Sequence, residues 1–227
     1  MKQQVNNIKN KTINKNHQVY KMALSVKHKK ALKNMNMKEL RRVLCEHYGE
    51  LLKEALNNKD WATIAAITTE AYNKCPKDAN VYYALAMMSH GKDTSFRALE
   101  ELIEKAEKLT PRDPSITPVI KGQAIVVATQ VKIRDIFVKN YSTEEEYTTE
   151  DMITAHKKKD FDKCIEIASN AFKNHPEEAN SWYSIALVAP YTEYMNDTDV
   201  VNIITIANNL SSEKDEYLEE KALKLLK

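Results

Sequence analysis

"KDFDKCIEIASNAFKNHPEEANSWYSIAL", residues 159–187, aligns without a gap on "KDWATIAAITTEAYNKCPKDANVYYALAM", residues 59–87, one hundred positions earlier in the chain. In the earlier copy Ile64, Ala65, Thr68 and Ala71 recur at three and four, the spacing of one helical face. Cys164, Ala168 and Ala171 do the same in the later copy. Pro76 and Pro176 then stop each helix. A third version, "FRALEELIEKAEKLTP", lies between them. It places Phe96, Leu99, Ile103, Ala106 and Pro111 at the offsets of Trp61, Ile64, Thr68, Ala71 and Pro76. Each version follows a short polar turn ("NNKD", "GKDTS", "HKKKD"), and before each turn lies another helical segment. The pattern predicts an almost wholly helical chain, with hairpins near residues 38–75, 79–110, 149–175 and 179–210.

The middle of the chain departs from this pattern. Thr117–Pro118 combines a capping hydroxyl with proline at the first turn, a strong helix start. From there to about residue 139 the only weak point is Gly122, which a helix tolerates at a cost of about 1 kcal/mol. One long helix is expected there. Its apolar residues, including Ile120, Val127 and Ile136, spread over more than one face, which implies burial on two sides. The acidic loop "NYSTEEEYTTED" follows, and Thr148 with Asp151 reads as a capping box for the next helix. A final helix carries a narrow apolar stripe of Leu218, Ala222, Leu223 and Leu226, which suits a cap on the end of a stack.

These residues resemble the tetratricopeptide repeat (TPR) family, whose unit is two antiparallel helices of about 34 residues in all. The resemblance covers roughly residues 38–190. It rests on Tyr48, Leu51, Leu52 and Ala55, then Trp61 to Pro76, and in the next unit Tyr83 and Ala86, then Phe96 to Pro111. Leu52 and Met87 stand where the family usually has a small residue. The resemblance implies an all-α fold: a right-handed superhelix of helical hairpins, here with one long central helix and a C-terminal capping helix. It also implies a non-enzymatic scaffold or adaptor that binds a helical or extended protein segment. In the family the first helix of each unit lines the concave face. Carried over, that groove holds Glu46, Lys53 and Asn57, then Val81 and Met88, then Ser181, Ser184, Val188 and Tyr191. Members that clamp a terminal carboxylate use a Lys/Asn/Arg set, and only Lys53 and Asn57 are offered here, at unmatched positions. The same face fits equally as packing for the N-terminal arm or the long helix.

Charge divides the chain. Residues 1–42 hold twelve Lys and Arg against Glu39 alone, so +11, and the remainder is −9, giving the net +2. Domains are therefore expected as a basic Asn/Lys-rich arm, residues 1–37, and a solenoid, residues 38–227. Lys21, Lys27, Lys29, Lys30, Lys33, Arg41 and Arg42 are the candidate polyanion-docking set. Lysines neutralise phosphates without reading sequence, so a second reading is a nucleic-acid-associated protein, of viral or mobile-element type, whose arm contacts DNA or RNA. The other readings of the arm are docking on an acidic protein surface, including the acidic body of another copy, and a solubilising tail.

The chemistry-bearing motifs are missing. No CxxC pair, HExxH, GxGxxG or P-loop is present, so no catalytic residue, metal site or cofactor is expected. The three cysteines, Cys45, Cys75 and Cys164, are far apart in sequence, which points to thiols in a reducing compartment, with Cys164 a small core residue. The most apolar stretch, residues 118–138, is interrupted by Lys121, Gln123, Gln130 and Lys132 and is too polar to span a bilayer. With no signal-peptide core at the N-terminus, a cytoplasmic location and no membrane partner are expected.

Overall fold

A computed structural model describes residues 37–89 and 94–226, with the side chains of residues 37–44 outside the description. Every regular element among the described residues is helical. The helices are α1 (Met37–Asn57), α2 (Trp61–Lys74), α3 (Ala79–Met87), α4 (Phe96–Glu107) and α5 (Thr117–Ile133). After the acidic loop come α6 (Thr149–Lys158), α7 (Phe161–Asn174), α8 (Ala179–Val188), α9 (Asp197–Asn209) and α10 (Glu216–Leu223). None is long and apolar enough to cross a membrane. The described residues fall into two compact units, one of 37–88 with 105–118 and the other of 89, 94–104 and 119–226.

The two aligned copies fold alike down to their hydrogen bonds. In the first unit the turn after α1 has Lys59 in the left-handed region, with φ 53°. Its N–H donates to Leu56 at 3.0 Å, and the next N–H, of Asp60, reaches back to Ala55 at 2.9 Å. In the second unit Lys159 closes α6 with φ 59°. There the N–H groups of Lys159 and Asp160 donate to His156 and Ala155 at 3.0 and 3.1 Å. These paired bonds satisfy the last carbonyls of a helix in a cap that usually ends on glycine. The aspartates then start the following helices: Asp60 accepts from the Thr63 N–H at 3.1 Å and Asp160 from the Lys163 N–H at 3.2 Å.

The far ends of α2 and α7 also correspond. Cys75 and His175 donate their N–H groups to Ala71 and Ala171, and the prolines follow. The Pro76 carbonyl accepts from the Tyr82 hydroxyl at 2.9 Å; that of Pro176 accepts from the Trp182 indole N–H at 2.8 Å. Tyr72 meets Tyr82, and Phe172 meets Trp182, ring edge to face. Asn80 donates to the Asp113 carbonyl and accepts from the Thr117 hydroxyl, both at 2.8 Å. Asn180 accepts from the Asp215 N–H at 2.8 Å. Each asparagine thus ties its copy to chain more than thirty residues further on.

In the first unit the expectation of scattered reduced thiols is overturned. Cys45 and Cys75 are joined by a disulfide, with Cα atoms 5.9 Å apart. Pairing of α1 with α2 sets position 45 beside the end of α2, a proximity that spacing in the sequence does not show. A cross-link over 30 residues removes about 3–4 kcal/mol of chain entropy from the unfolded state. Gly49 is required nearby, because a Cβ there would lie 2.8 Å from that of Asp113.

The second unit holds the larger core. The expected long helix is present: α5 continues without a break into a π turn, Arg134–Val138, and a last turn, Lys139–Tyr141. Ile120, Val127 and Ile136 are buried, while Val119 is exposed. Ile133, Ile136 and Phe137 pack with Met152, Cys164, Trp182 and Tyr183. Cys164 is a core residue as expected, and burial pushes its thiol pKa up to about 11. The π turn presents Asp135 to the Phe96 N–H at the start of α4, 3.3 Å away. Lys132 is buried and pairs with Asp199 at 3.0 Å and Glu100 at 3.2 Å. Burial alone would lower the lysine pKa, but the two carboxylates outweigh it and raise it. His156, on α6, lies 2.9 Å from the Tyr217 hydroxyl of α10. Burial, then the nearby Lys221, lowers its pKa.

Two outcomes are expected. Lys59 and Lys159 hold a conformation that costs a side-chain-bearing residue about 1 kcal/mol. Lys59→Gly and Lys159→Gly should each raise stability by about 0.5–1 kcal/mol in urea titrations; destabilisation would show that the lysine side chains are needed. The depressed pKa of His156 means that folding disfavours its proton. Its stabilising contribution is therefore full above the unfolded value near 6.5 and is lost as pH falls through the lower folded value. Melting temperature should fall more steeply from pH 7 to 5 in the native chain than in His156→Gln, checked by calorimetry.

Candidate functional site

The second unit contains a cavity of about 380 Å³ formed by the acidic loop, the start of α6, the later half of α7 and the first turns of α8. The loop is exposed, as its Glu144–Glu146 run suggests, yet firmly held. Asn170 of α7 accepts from the Thr143 N–H at 2.7 Å and donates to the Thr143 hydroxyl and the Glu145 carbonyl at 2.9 and 3.0 Å. Lys173 adds bonds to the Thr143 carbonyl and to Glu144, both at 3.3 Å. The Tyr147 hydroxyl accepts from Lys163 at 2.5 Å and lies against the carboxylates of Glu145 and Glu166. This network lowers the pKa of Glu166, chiefly through Tyr147, and raises that of Lys163, also chiefly through Tyr147. The loop ends in the expected capping box. Thr148 donates its N–H to Asp151 at 2.8 Å, and the Asp151 N–H donates to the Thr148 hydroxyl at 3.3 Å.

The cavity walls are mixed. Met152, Ile167 and Ala171 supply apolar surface. Ser181 and Ser184, two of the expected groove residues, line it from α8. Their hydroxyls donate inward, to the Ala171 carbonyl at 3.1 Å and the Asn180 carbonyl at 2.8 Å. Their oxygen lone pairs are what they present to the cavity. Glu146 and Glu178 are its acidic groups, and no Lys or Arg lines it. His175 lies 3.7 Å from Glu178 and 3.8 Å from Glu177. These three exposed residues are a group whose potential metal-ligand atoms lie within 4.8 Å of one another. Surface clusters of this kind form without an ion, and nothing further in the described residues points to one.

The other expected site residues are dispersed. Val81 and Val188 are buried, so they serve the interior and do not line an open groove. Short α3 and α8 are enclosed on nearly every side, and the side of α8 that meets the cavity carries Ser181 and Ser184. Glu46 and Met88 are half-buried, and Lys53 and Asn57 are exposed on α1. Tyr191 is half exposed and stacks on Phe161, with ring centroids 4.0 Å apart. Lys21, Lys27, Lys29, Lys30 and Lys33 lie outside the described residues, as do the side chains of Arg41 and Arg42. Sequence reasoning missed Asn170 and Glu178. The signal for Glu178 was its alignment with Asp78, which is buried and accepts from the N–H groups of Asn80 and Arg112. Compared with known proteins, the chain matches no family model, no curated protein and no solved structure.

Asn170→Ala removes three of the bonds that hold the loop to α7. Limited proteolysis should then cut within residues 142–148 about tenfold faster, the equivalent of about 1.4 kcal/mol of local opening. Unchanged cleavage would mean that Tyr147 and Lys173 suffice to hold the loop.

Proposed function

We propose that this chain is a non-enzymatic protein-binding scaffold of the tetratricopeptide type, its hairpins stacked in a right-handed superhelix. The cavity of the second unit is its seat for an extended segment of a partner. The observation that carries the reading is the cavity itself: concave, amphipathic, and built on the later of the two aligned copies from rigid helices and a pinned loop. Ordered walls limit the entropy lost on binding. Mixed apolar and polar lining suits a segment whose side chains alternate in character. A second reading, contact with DNA or RNA, is favoured by nine lysines and no acidic residue within residues 1–36.

The test is retention of short extended peptides on the immobilised full chain, with basic, neutral and acidic sets, beside duplex DNA. Asn174 is an exposed residue of the cavity wall, and Asn174→Trp fills the space. Peptide binding should weaken about tenfold in that variant with the melting temperature unchanged. Equal binding to both proteins would remove the cavity from the function. Retention of DNA alone, falling steeply with salt, would establish the second reading in its place.

A further inference from the structure

We infer that the Cys45–Cys75 disulfide gates a second binding seat, in the first unit, which Tyr48 fills while the bond is closed. Reduction frees the helix that carries Tyr48 and lets a tyrosine of an extended partner segment take its place. The inference rests on the reading of the second unit's cavity as a binding seat.

The correspondence of the two copies extends back into the helices before them. Ala55 and Ala155 accept matching N–H groups, from Asp60 and Asp160, and Leu52 and Met152 are both buried. Residues that line the cavity of the second unit therefore have counterparts one hundred positions earlier. Ile167 corresponds to Ile67 and Ala171 to Ala71, so the apolar wall is kept. Val81 and Ala84 replace Ser181 and Ser184 and make the earlier seat more apolar. Three further differences act together. Exposed Thr148 becomes buried Tyr48, Asn170 becomes Glu70, and exposed His175 becomes buried Cys75. In the second unit α6 begins at Thr149 and the chain before it is the acidic loop. In the first unit α1 is helical from Met37 through Tyr48, whose hydroxyl donates to Glu70 of α2. A tyrosine thus stands where the second unit has a threonine at the cavity wall. The other polar counterparts leave the seat apolar. Asp78 and Asn80 are engaged within the unit, by Arg112 and Asp113, and Lys74 is exposed at the end of α2. Glu46 and His47, half-buried on α1, move with Tyr48.

The disulfide holds that helix in place. Cys45 lies three residues before Tyr48 and so on the same face of α1. Cys75 follows the last residue of α2. The bond ties α1 to α2 beside Tyr48, which raises the effective concentration of the tyrosine at its seat. Reduction removes the tie and leaves the core packed, since a buried thiol behaves as a small hydrophobe, as Cys164 does. The step takes a dithiol as reductant. One of its thiolates attacks a sulfur of the pair, its second displaces the mixed disulfide, and the dithiol closes to a cyclic disulfide. The two electrons and two protons it gives up end on Cys45 and Cys75 as thiols. Tyr48 is then held by non-covalent contacts alone. A partner's tyrosine brings the same ring for the apolar wall and the same hydroxyl for Glu70, and can displace it.

The experiment uses the full chain, native and Asn174→Trp, which closes the cavity of the second unit. Each is compared with its disulfide intact and after reduction by excess dithiothreitol. Hydrogen exchange of residues 45–52 should quicken about tenfold on reduction, while residues 61–87 and 149–187 keep their protection. Unchanged exchange at 45–52 would overturn the gate. Loss of protection across 61–87 would make the bond a staple of the whole unit and overturn it too. The probe for the seat is an end-blocked peptide, SVYVS, with SVAVS beside it. Reduced Asn174→Trp should bind SVYVS about tenfold more tightly than its disulfide form, with no gain for SVAVS. Tyr48→Thr, which copies the later unit, should show that tighter binding with the disulfide intact; failure to do so, with its helices still protected, would remove Tyr48 as the plug. Equal binding of SVYVS by both redox forms, an equal gain for SVAVS, or a gain confined to the native chain would overturn the proposal. Peptide binding to the native disulfide form that Asn174→Trp leaves unchanged counts against the second unit's cavity alone, so the two readings fail separately.

Discussion

The left-handed turn at Lys59 and its counterpart at Lys159 is the constraint on which each aligned hairpin depends. It reverses the chain within three residues and satisfies the last carbonyls of one helix. It also delivers an aspartate to the start of the next. Everything that follows in each copy is registered from that point. The small residues Ala71 and Ala171 accept the closing N–H groups of the second helix. The proline carbonyls anchor the aromatic residue of the third. A longer connection would leave the helix faces free to slide, and the asparagine bonds to later chain would lose their register.

Much of this was legible in the sequence, because helix periodicity and helix ends are local signals. The spacing of Ile64, Thr68 and Ala71, the prolines, and the Thr148–Asp151 box all act within a turn or two. Their helices lie where the pattern puts them. The pairing of Cys45 with Cys75 was not legible, since it follows from which helices pack together. The same holds for Lys132 with Asp199, 67 positions apart. The groove residues fared unevenly for the same reason. Positions taken from one helix face assume that the face is open, and the burial of Val81 and Val188 shows how thoroughly neighbouring elements enclose α3 and α8.

The cavity was hidden for a further reason. Its shape depends on an irregular acidic loop that has no periodicity to read. Asn170 decides where that loop lies, through bonds to Thr143 and Glu145. An asparagine in mid-helix has poor helix propensity, and a polar position in the middle of a repeat helix was the one available hint. The two copies differ at this point, since the earlier one has Glu70 where the later one has Asn170. An ionised carboxylate accepts hydrogen bonds but donates none, whereas the loop is held by an amide that does both. The earlier copy therefore lacks the side chain that pins such a loop.

The π turn at Arg134–Val138 has a geometric consequence for that loop. An α-helix advances about 100° per residue, so a turn that accommodates an extra residue resets the rotational phase of all that follows. Asn140 and Ser142 close the helix end on the carbonyls of Ile136 and Val138 at 2.7 and 2.6 Å. The azimuth at which the acidic segment leaves the long helix is thus fixed by the turn. Removing one residue from this stretch would swing the exit of the chain through more than a quarter of a circle. The turn works as an angular setting, and the bearing of Glu146 on the cavity is read from it.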